Sequence, residues 1–196
     1  MLRALLASVV AIVVFTVVLG FGYPALMTGV AQLTMSHQAN GSLIERGNKV
    51  IGSSLAAQTF SFPGYFHERP SATSPAYNPG FTTFSNLGPT NPALAKLVKQ
   101  NADAILKLEG PYNPGLTIHQ IPVDAVVPSG SGIDPEISIA YANLQARRVA
   151  AVRHLPLGTV QGLIDQHTVG RQLDFFGERG VNVLDLNLAL DKEHGS

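Results

Sequence analysis

The sequence predicts an α+β protein: one N-terminal transmembrane helix followed by a single mixed α/β extracytoplasmic domain. Three observations carry that expectation. Residues 4–30 hold no charged side chain, although the 196-residue chain carries 13 basic and 13 acidic residues. Later stretches repeat apolar residues at helical spacing. Others alternate apolar and polar residues as a half-buried strand does.

Composition narrows the function classes. The formal net charge is zero, which gives no general reason to expect a nucleic-acid partner. Only 13% of residues are charged, low for a soluble domain, and the uncharged N-terminal run accounts for the deficit. There is no cysteine, so disulfides, thiolate metal sites and a cysteine nucleophile are excluded.

The first element is the run ALLASVVAIVVFTVVLGF, residues 4–21, continued by apolar residues to Val30. A bilayer core of about 30 Å requires roughly 20 apolar residues in a helix. Valine and isoleucine are weak helix formers in water, but in lipid the backbone must close its own hydrogen bonds. A signal peptide has an apolar core of about 7–15 residues and a small-residue cleavage site. This core is longer, and Ser36-His37-Gln38-Ala39 is a poor cleavage site. Residues 1–35 therefore read as an uncleaved anchor with a short cytoplasmic flank, and residues 36–196 as the domain outside. Arg3 precedes the span and no lysine or arginine follows before Arg46, which places the N-terminal side in the cytoplasm and the domain in the periplasm or outside the cell. Pro24 is a site for a kink. Ala7, Ser8 and Ala11 form a small face on which another membrane helix can pack.

Asn40-Gly41-Ser42 reads as a turn, and residues 49–58 as a short apolar piece of ambiguous type. Residues 60–92 are thick with Pro, Gly, Ser, Thr and Asn, yet carry Phe62, Tyr65, Phe66, Tyr77, Phe81 and Phe84. Disordered segments lack aromatics, so this reads as an ordered loop region pinned by rings. Asn91 caps a helix with Pro92 at its first position, and Leu94, Leu97, Val98, Ile105 and Leu108 recur on one side. Gly110-Pro111 stops it. Residues 117–127 read as an edge or bent strand broken at Pro122.

SGSGIDPEIS, residues 129–138, resembles a chemical motif. A P-loop requires Gly-Lys-Ser/Thr, a dinucleotide loop a third glycine, and a nucleophile elbow Gly-x-Ser-x-Gly; none fits. It reads instead as a flexible approach to a helix capped by Asp134, with Pro135 first and Ile137, Tyr141, Leu144 and Arg148 on one face. Arg147 and Arg148 could hold an anion, face solvent or pair with carboxylates. Residues 157–167 form a further helix and residues 181–190 a strand with one buried face. His67-Glu68 lacks the second histidine of a zinc helix. His119 is a packed or solvated side chain.

Taken in order, NGSLI (40–44), YFHERPSA (65–72), YNP (77–79), SNLGPTNP (85–92), IPVDAVVPSGSGIDPEIS (121–138), RVAAVR (148–153) and VNVLDLNLALD (181–191) resemble the C subunit of the bacterial potassium-transporting P-type ATPase, the Kdp complex. The resemblance runs nearly end to end. It implies a non-catalytic accessory subunit of a high-affinity ATP-driven potassium importer, needed for assembly and activity and acting as a catalytic chaperone that raises the ATP affinity of the ATPase subunit. The implied partners are a channel-like potassium-binding subunit, the P-type ATPase subunit and membrane lipid. No cofactor is bound directly; ATP and potassium are handled by the complex. The implied location is the bacterial cytoplasmic membrane. With the domain outside, its effect on cytoplasmic ATP would be indirect, or it would rest on the channel-like subunit near the ion entrance. Tyr65, Arg69, Asn78, Asn86, Asp124, Asp134 and Arg148 lie in the matching motifs as interface residues or as caps, turn formers and ion-pair partners. Two other readings of the chain are an anchored extracytoplasmic hydrolase using Ser129 or Ser131, and a generic anchored scaffold or binding module.

Overall fold

The structure, a computed structural model, describes residues 1–171 and 173–193. The chain divides into two compact units, Met1–Leu43 and Ile44–Ser196.

The first unit is helical. Leu2–Thr34 is one continuous helical run, long and apolar enough to cross a membrane. It comprises α1 (Leu2–Phe15), a π-helical stretch (Thr16–Gly22) and α2 (Tyr23–Thr34). Pro24 explains the π stretch: proline has no amide to donate and its ring crowds the preceding turn, and a wider turn relieves that crowding. Ser8 and Thr34 donate their hydroxyls to the carbonyls of Ala4 and Val30. A short helix, α3 (Ser36–Ala39), follows, and Gln32 and Asn40 exchange amide hydrogen bonds of 3.1 and 3.2 Å.

The second unit is a mixed body. Strands β1 (Leu43–Arg46), at whose start the units divide, and β2 (Lys49–Ser53) form a hairpin. Residues 54–91 contain no regular element. Then come α4 (Pro92–Glu109), β3 (Glu136–Ile137), α5 (Ile139–Arg153), α6 (Leu157–Gln166), β4 (Thr168–Val169), β5 (Gly180–Asn182) and α7 (Val183–Glu193). The three short strands form an antiparallel sheet in the order β3-β5-β4, with Ile137 and Thr168 both opposite Val181.

The core lies between the helices and this sheet. Ala142, Ala146 and Ala150, spaced four apart, are buried on α5, and their small side chains allow the backbone of α6 to approach. Val160, Leu163 and Ile164 of α6 and Val183, Leu186 and Leu190 of α7 complete the cluster with Phe66, Ile105 and Tyr141. The α4 cap is as expected: Asn91 accepts from the Ala93 amide at 2.9 Å.

Several expectations require correction. Residues 117–127 are two 3₁₀ turns, Ile118–Gln120 and Val123–Ala125, not a strand. Thr117 and Gln120 form a capping box that satisfies the backbone locally, and Pro122 has no amide for a ladder. Asp134 does not cap a helix. Ser138 caps α5, accepting from the Tyr141 amide at 3.0 Å, while Asp134 accepts from the Glu136 amide at 3.1 Å in a local turn before β3. Residues 181–190 are strand only as far as Asn182. There the Asn182 side chain accepts from the Asp185 amide at 3.1 Å and starts α7, switching the apolar period from two to 3.6. The aromatic pinning of residues 60–92 is partial. Phe66 is buried, but Phe62, Phe81 and Phe84 are exposed.

Candidate functional site

Residues 63–69 leave a turn closed by the Tyr65 amide on the Phe62 carbonyl and continue as an irregular ribbon, whose backbone groups must find partners away from any sheet. Helix α5 supplies Gln145, Arg148 and Arg153; α7 supplies Asn187 and Asp191; α4 ends in Glu109. Asn187 accepts from the Phe66 amide at 2.8 Å and donates to the Phe66 carbonyl at 3.0 Å. Gln145 does the same to His67, at 2.8 and 3.0 Å. Two side-chain amides thus take the place of a neighbouring strand.

The arginines hold the preceding residues. Arg148 Nη1 donates to the carbonyls of Pro63 and Tyr65. Its Nη2 reaches Gln145 Oε1 at 2.8 Å and its Nε pairs with Glu109 Oε1 at 2.8 Å. Arg148 and Glu109 are both fully buried. Burial pushes the Glu109 carboxyl above its ordinary range, and the guanidinium draws it part of the way back. Arg153 donates to the Gly64 carbonyl at 2.6 Å and to Asp191 at 3.0 Å, and its guanidinium lies 4.5 Å from the centre of the Tyr65 ring. The Tyr65 hydroxyl donates to Asp191 at 2.9 Å.

Glu68 differs from these. It is only 5% exposed, and neither carboxyl oxygen has a hydrogen-bond partner. Burial, and secondarily the charge of Asp134, pushes its carboxyl up to about 9. The nearby Gln58 main chain favours the ionised form slightly, without a hydrogen bond of normal geometry. At neutral pH Glu68 is therefore a neutral acid. It borders a cavity of about 310 Å³ together with Phe60, His67, Tyr77, Ile105 and Tyr141. Burial raises Tyr77 to about 12 and raises Tyr141, and burial followed by Arg148 lowers His67.

The remaining motif residues are local fasteners. Arg69 pairs with Asp134 at 2.9 Å. Asp124 accepts from the Ser138 amide at 2.7 Å and its hydroxyl at 2.9 Å, fixing the cap of α5. Asn78 accepts from the Gly80 amide at 3.0 Å. Asn86 is exposed and takes a left-handed φ of 54°. Ala7, Ser8 and Ala11 lie exposed on α1. The serines of the 129–132 loop serve the loop itself: Ser129 accepts from the Gly132 amide at 2.8 Å and Ser131 from the Ile133 amide at 3.2 Å. Arg147 and His119 are exposed, so the arginine pair splits between solvent and ion pair. Among the described residues no cluster of three or more His, Asp or Glu side chains could hold a metal.

Sequence reasoning missed Gln145, Arg153, Asn187, Asp191, Glu109 and Glu68. One signal could have found two of them. Gln145 and Asn187 fall on the apolar faces of their helices, among Tyr141 and Val149 and among Val183, Leu186 and Leu190. A polar group there must bond something buried.

The chain thus joins one helix long and apolar enough to cross a membrane to a mixed α/β body whose buried polar side chains hold its own irregular ribbon in place. The chain belongs to the KdpC family, described as the c chain of K⁺-transporting ATPase, whose model matches residues 5–192. It is 51% identical to the potassium-transporting ATPase KdpC subunit of Methylococcus capsulatus over 92% of this chain and 93% of that one. Its similarity to the subunit of the same name from Mycobacterium bovis is 47% identity over 98% and 100% of the two chains. For that of Herpetosiphon aurantiacus it is 51% over 94% of each.

Proposed function

We propose that this chain is a non-catalytic accessory subunit of an ATP-driven potassium import complex, needed for its assembly and activity. The observation that carries the reading is similarity along nearly the whole chain to proteins named as KdpC subunits. Its partners are a channel-like potassium-binding subunit and a P-type ATPase subunit that hydrolyses ATP. Residues 1–35 anchor it in the cytoplasmic membrane and residues 36–196 lie outside. Arg3 before the span, and no further lysine or arginine before Arg46, support that orientation. The body acts on ATP affinity, the catalytic-chaperone role, indirectly, from the far side of the membrane.

Within this reading Ala7, Ser8 and Ala11 face a partner helix. Tyr65, Arg69, Asp124, Asp134 and Arg148 shape the body that partners meet, and Asn78 and Asn86 sit in turns at its surface. The test is a pull-down through a C-terminal tag, in mild detergent, from membranes of potassium-starved cells. Co-purification of a P-type ATPase and a channel-like subunit, with potassium-stimulated ATP hydrolysis, is the expected result. Recovery of the folded chain alone would overturn the reading.

A further inference from the structure

The Glu68 carboxyl is at odds with its surroundings. Buried polar groups are hydrogen-bonded almost without exception, yet both of its oxygens lack partners, while the main chain of His67 before it is held by Gln145 and Arg69 after it pairs with Asp134. The arginines nearest to it pair with other carboxylates: Arg69 with Asp134 through Nη1, its buried Nε having no partner, and Arg148 with Glu109. The other titratable groups facing it are His67, Tyr77 and Tyr141, which border the same cavity. Among the described residues no ion pair to Glu68 is formed.

The cavity supplies the rest of a recognition surface. Its volume of about 310 Å³ is at the small end of the range for ligand pockets. Phe60, Ile105 and Leu108 give it apolar walls, and Tyr77 and Tyr141 bring aromatic rings. Apolar walls, aromatic rings and one acid without a partner are the features that receive an ammonium group on a short hydrocarbon body. A bare metal ion suits the site poorly, because a single carboxyl does not replace a hydration shell.

We propose that the Glu68 cavity is a binding site for a small monovalent organic cation of the alkylammonium class. On binding, the ligand stays protonated, Glu68 gives its proton to solvent, and the carboxylate pairs with the ammonium group. Phe60, Ile105 and Leu108 cover the hydrocarbon.

The test uses the full chain in mild detergent and n-butylammonium chloride as probe, followed by titration calorimetry in two buffers of different ionisation enthalpy. The expected result is saturable binding with about one proton released per ligand, and affinity rising about tenfold per pH unit between pH 6 and 8. Glu68→Gln keeps the shape of the side chain and removes the charge. It is expected to weaken n-butylammonium binding at least tenfold and to abolish proton release, while tyrosine fluorescence confirms that the variant is folded. Neutral n-butanol is expected to bind the wild type more weakly than n-butylammonium. Binding without proton release, equal binding by Glu68→Gln, tighter binding of n-butanol, or the same proton release with potassium chloride would each overturn the proposal, as would the absence of saturable binding at millimolar probe.

Discussion

Asn187 holds the main chain of Phe66 by both its groups, accepting from the amide at 2.8 Å and donating to the carbonyl at 3.0 Å. The bond pattern is that of a neighbouring strand, supplied by one side chain from a helix. Gln145 repeats it on His67 from a different helix. Consecutive residues of a long irregular segment are thus fixed by α7 and α5, and Phe66 can enter the core because its own backbone is satisfied there.

Replacing Asn187 by Ala leaves a buried donor and a buried acceptor without partners. At about 1–3 kcal/mol for each, a loss of about 2–6 kcal/mol is expected. Asn143→Ala serves as the control, since Asn143 is exposed and its side chain bonds the Ile139 carbonyl of its own helix; its effect should stay within about 0.5 kcal/mol. Urea unfolding of the full chain in mild detergent measures both. The chain has no tryptophan, so tyrosine fluorescence is the probe. Equal effects of the two variants would show that the Phe66 clasp contributes little.

Arg148→Met removes four hydrogen bonds, including that to Glu109, and leaves a fully buried carboxyl without its cation. Breaking one side of such a pair is expected to destabilise by about 3–5 kcal/mol. Adding Glu109→Gln removes the uncompensated charge and should restore part of the loss. A double variant no more stable than Arg148→Met would assign the loss to the carbonyls of Pro63 and Tyr65 rather than to the ion pair.

The N-terminal apolar helix, α4 and α6 were legible because each is governed by local rules: an uncharged run, an Asn-Pro cap, an apolar period. The errors have a common cause. At Asn182 and Ser138 a side-chain cap decides where a helix starts, and each cap competes with another plausible reading of the same residues. Asp134 has the chemistry of a cap, but Arg69, far away in sequence, holds it elsewhere. Apolar residues alternating with Asn182, Asp185 and Asn187, with one slip at Leu184, fit a strand, but the Asn182 side chain caps a helix there instead. The motif residues Arg148 and Tyr65 were singled out, but the groups that partner them were not. Glu109, Arg153 and Asp191 join them across tens of residues, and no spacing in one sequence encodes those contacts.

Gly132 is the glycine the 129–132 loop cannot replace. Its φ is +73°, and a Cβ there would lie 2.7 Å from the Thr83 carbonyl oxygen. Ser71 donates to the Gly132 carbonyl at 2.7 Å, so the loop cannot swing aside without losing that bond. Gly132→Ala is expected to destabilise by about 1–3 kcal/mol, whereas Gly130→Ala, with open space around its Cβ, should have a much smaller effect. A difference in urea midpoint between the two variants is the check; no difference would remove the steric argument.

Glu68 ties stability to pH with a definite sign. Its carboxyl titrates near 4.5 in the unfolded chain and is pushed up to about 9 in the fold, chiefly by burial. Below about pH 4.5 both states are protonated and this group contributes no pH dependence. Between the two values the unfolded chain loses the proton and the folded one keeps it, so rising pH favours unfolding by up to about 1.4 kcal/mol per pH unit. Above about 9 both states are ionised and the dependence ends. Glu109 and Glu136 are raised as well, so the total pH profile does not isolate Glu68, but the difference between wild type and Glu68→Gln does. Glutamine at this position never ionises, so the variant should be more stable than the wild type at pH 8. The gap should shrink steadily towards pH 5 and level off below it. Urea midpoints at unit steps from pH 5 to 9 give the comparison. Parallel profiles for the two proteins would mean that Glu68 titrates alike in both states, and that it has found in solution a partner that keeps it ionised in the fold.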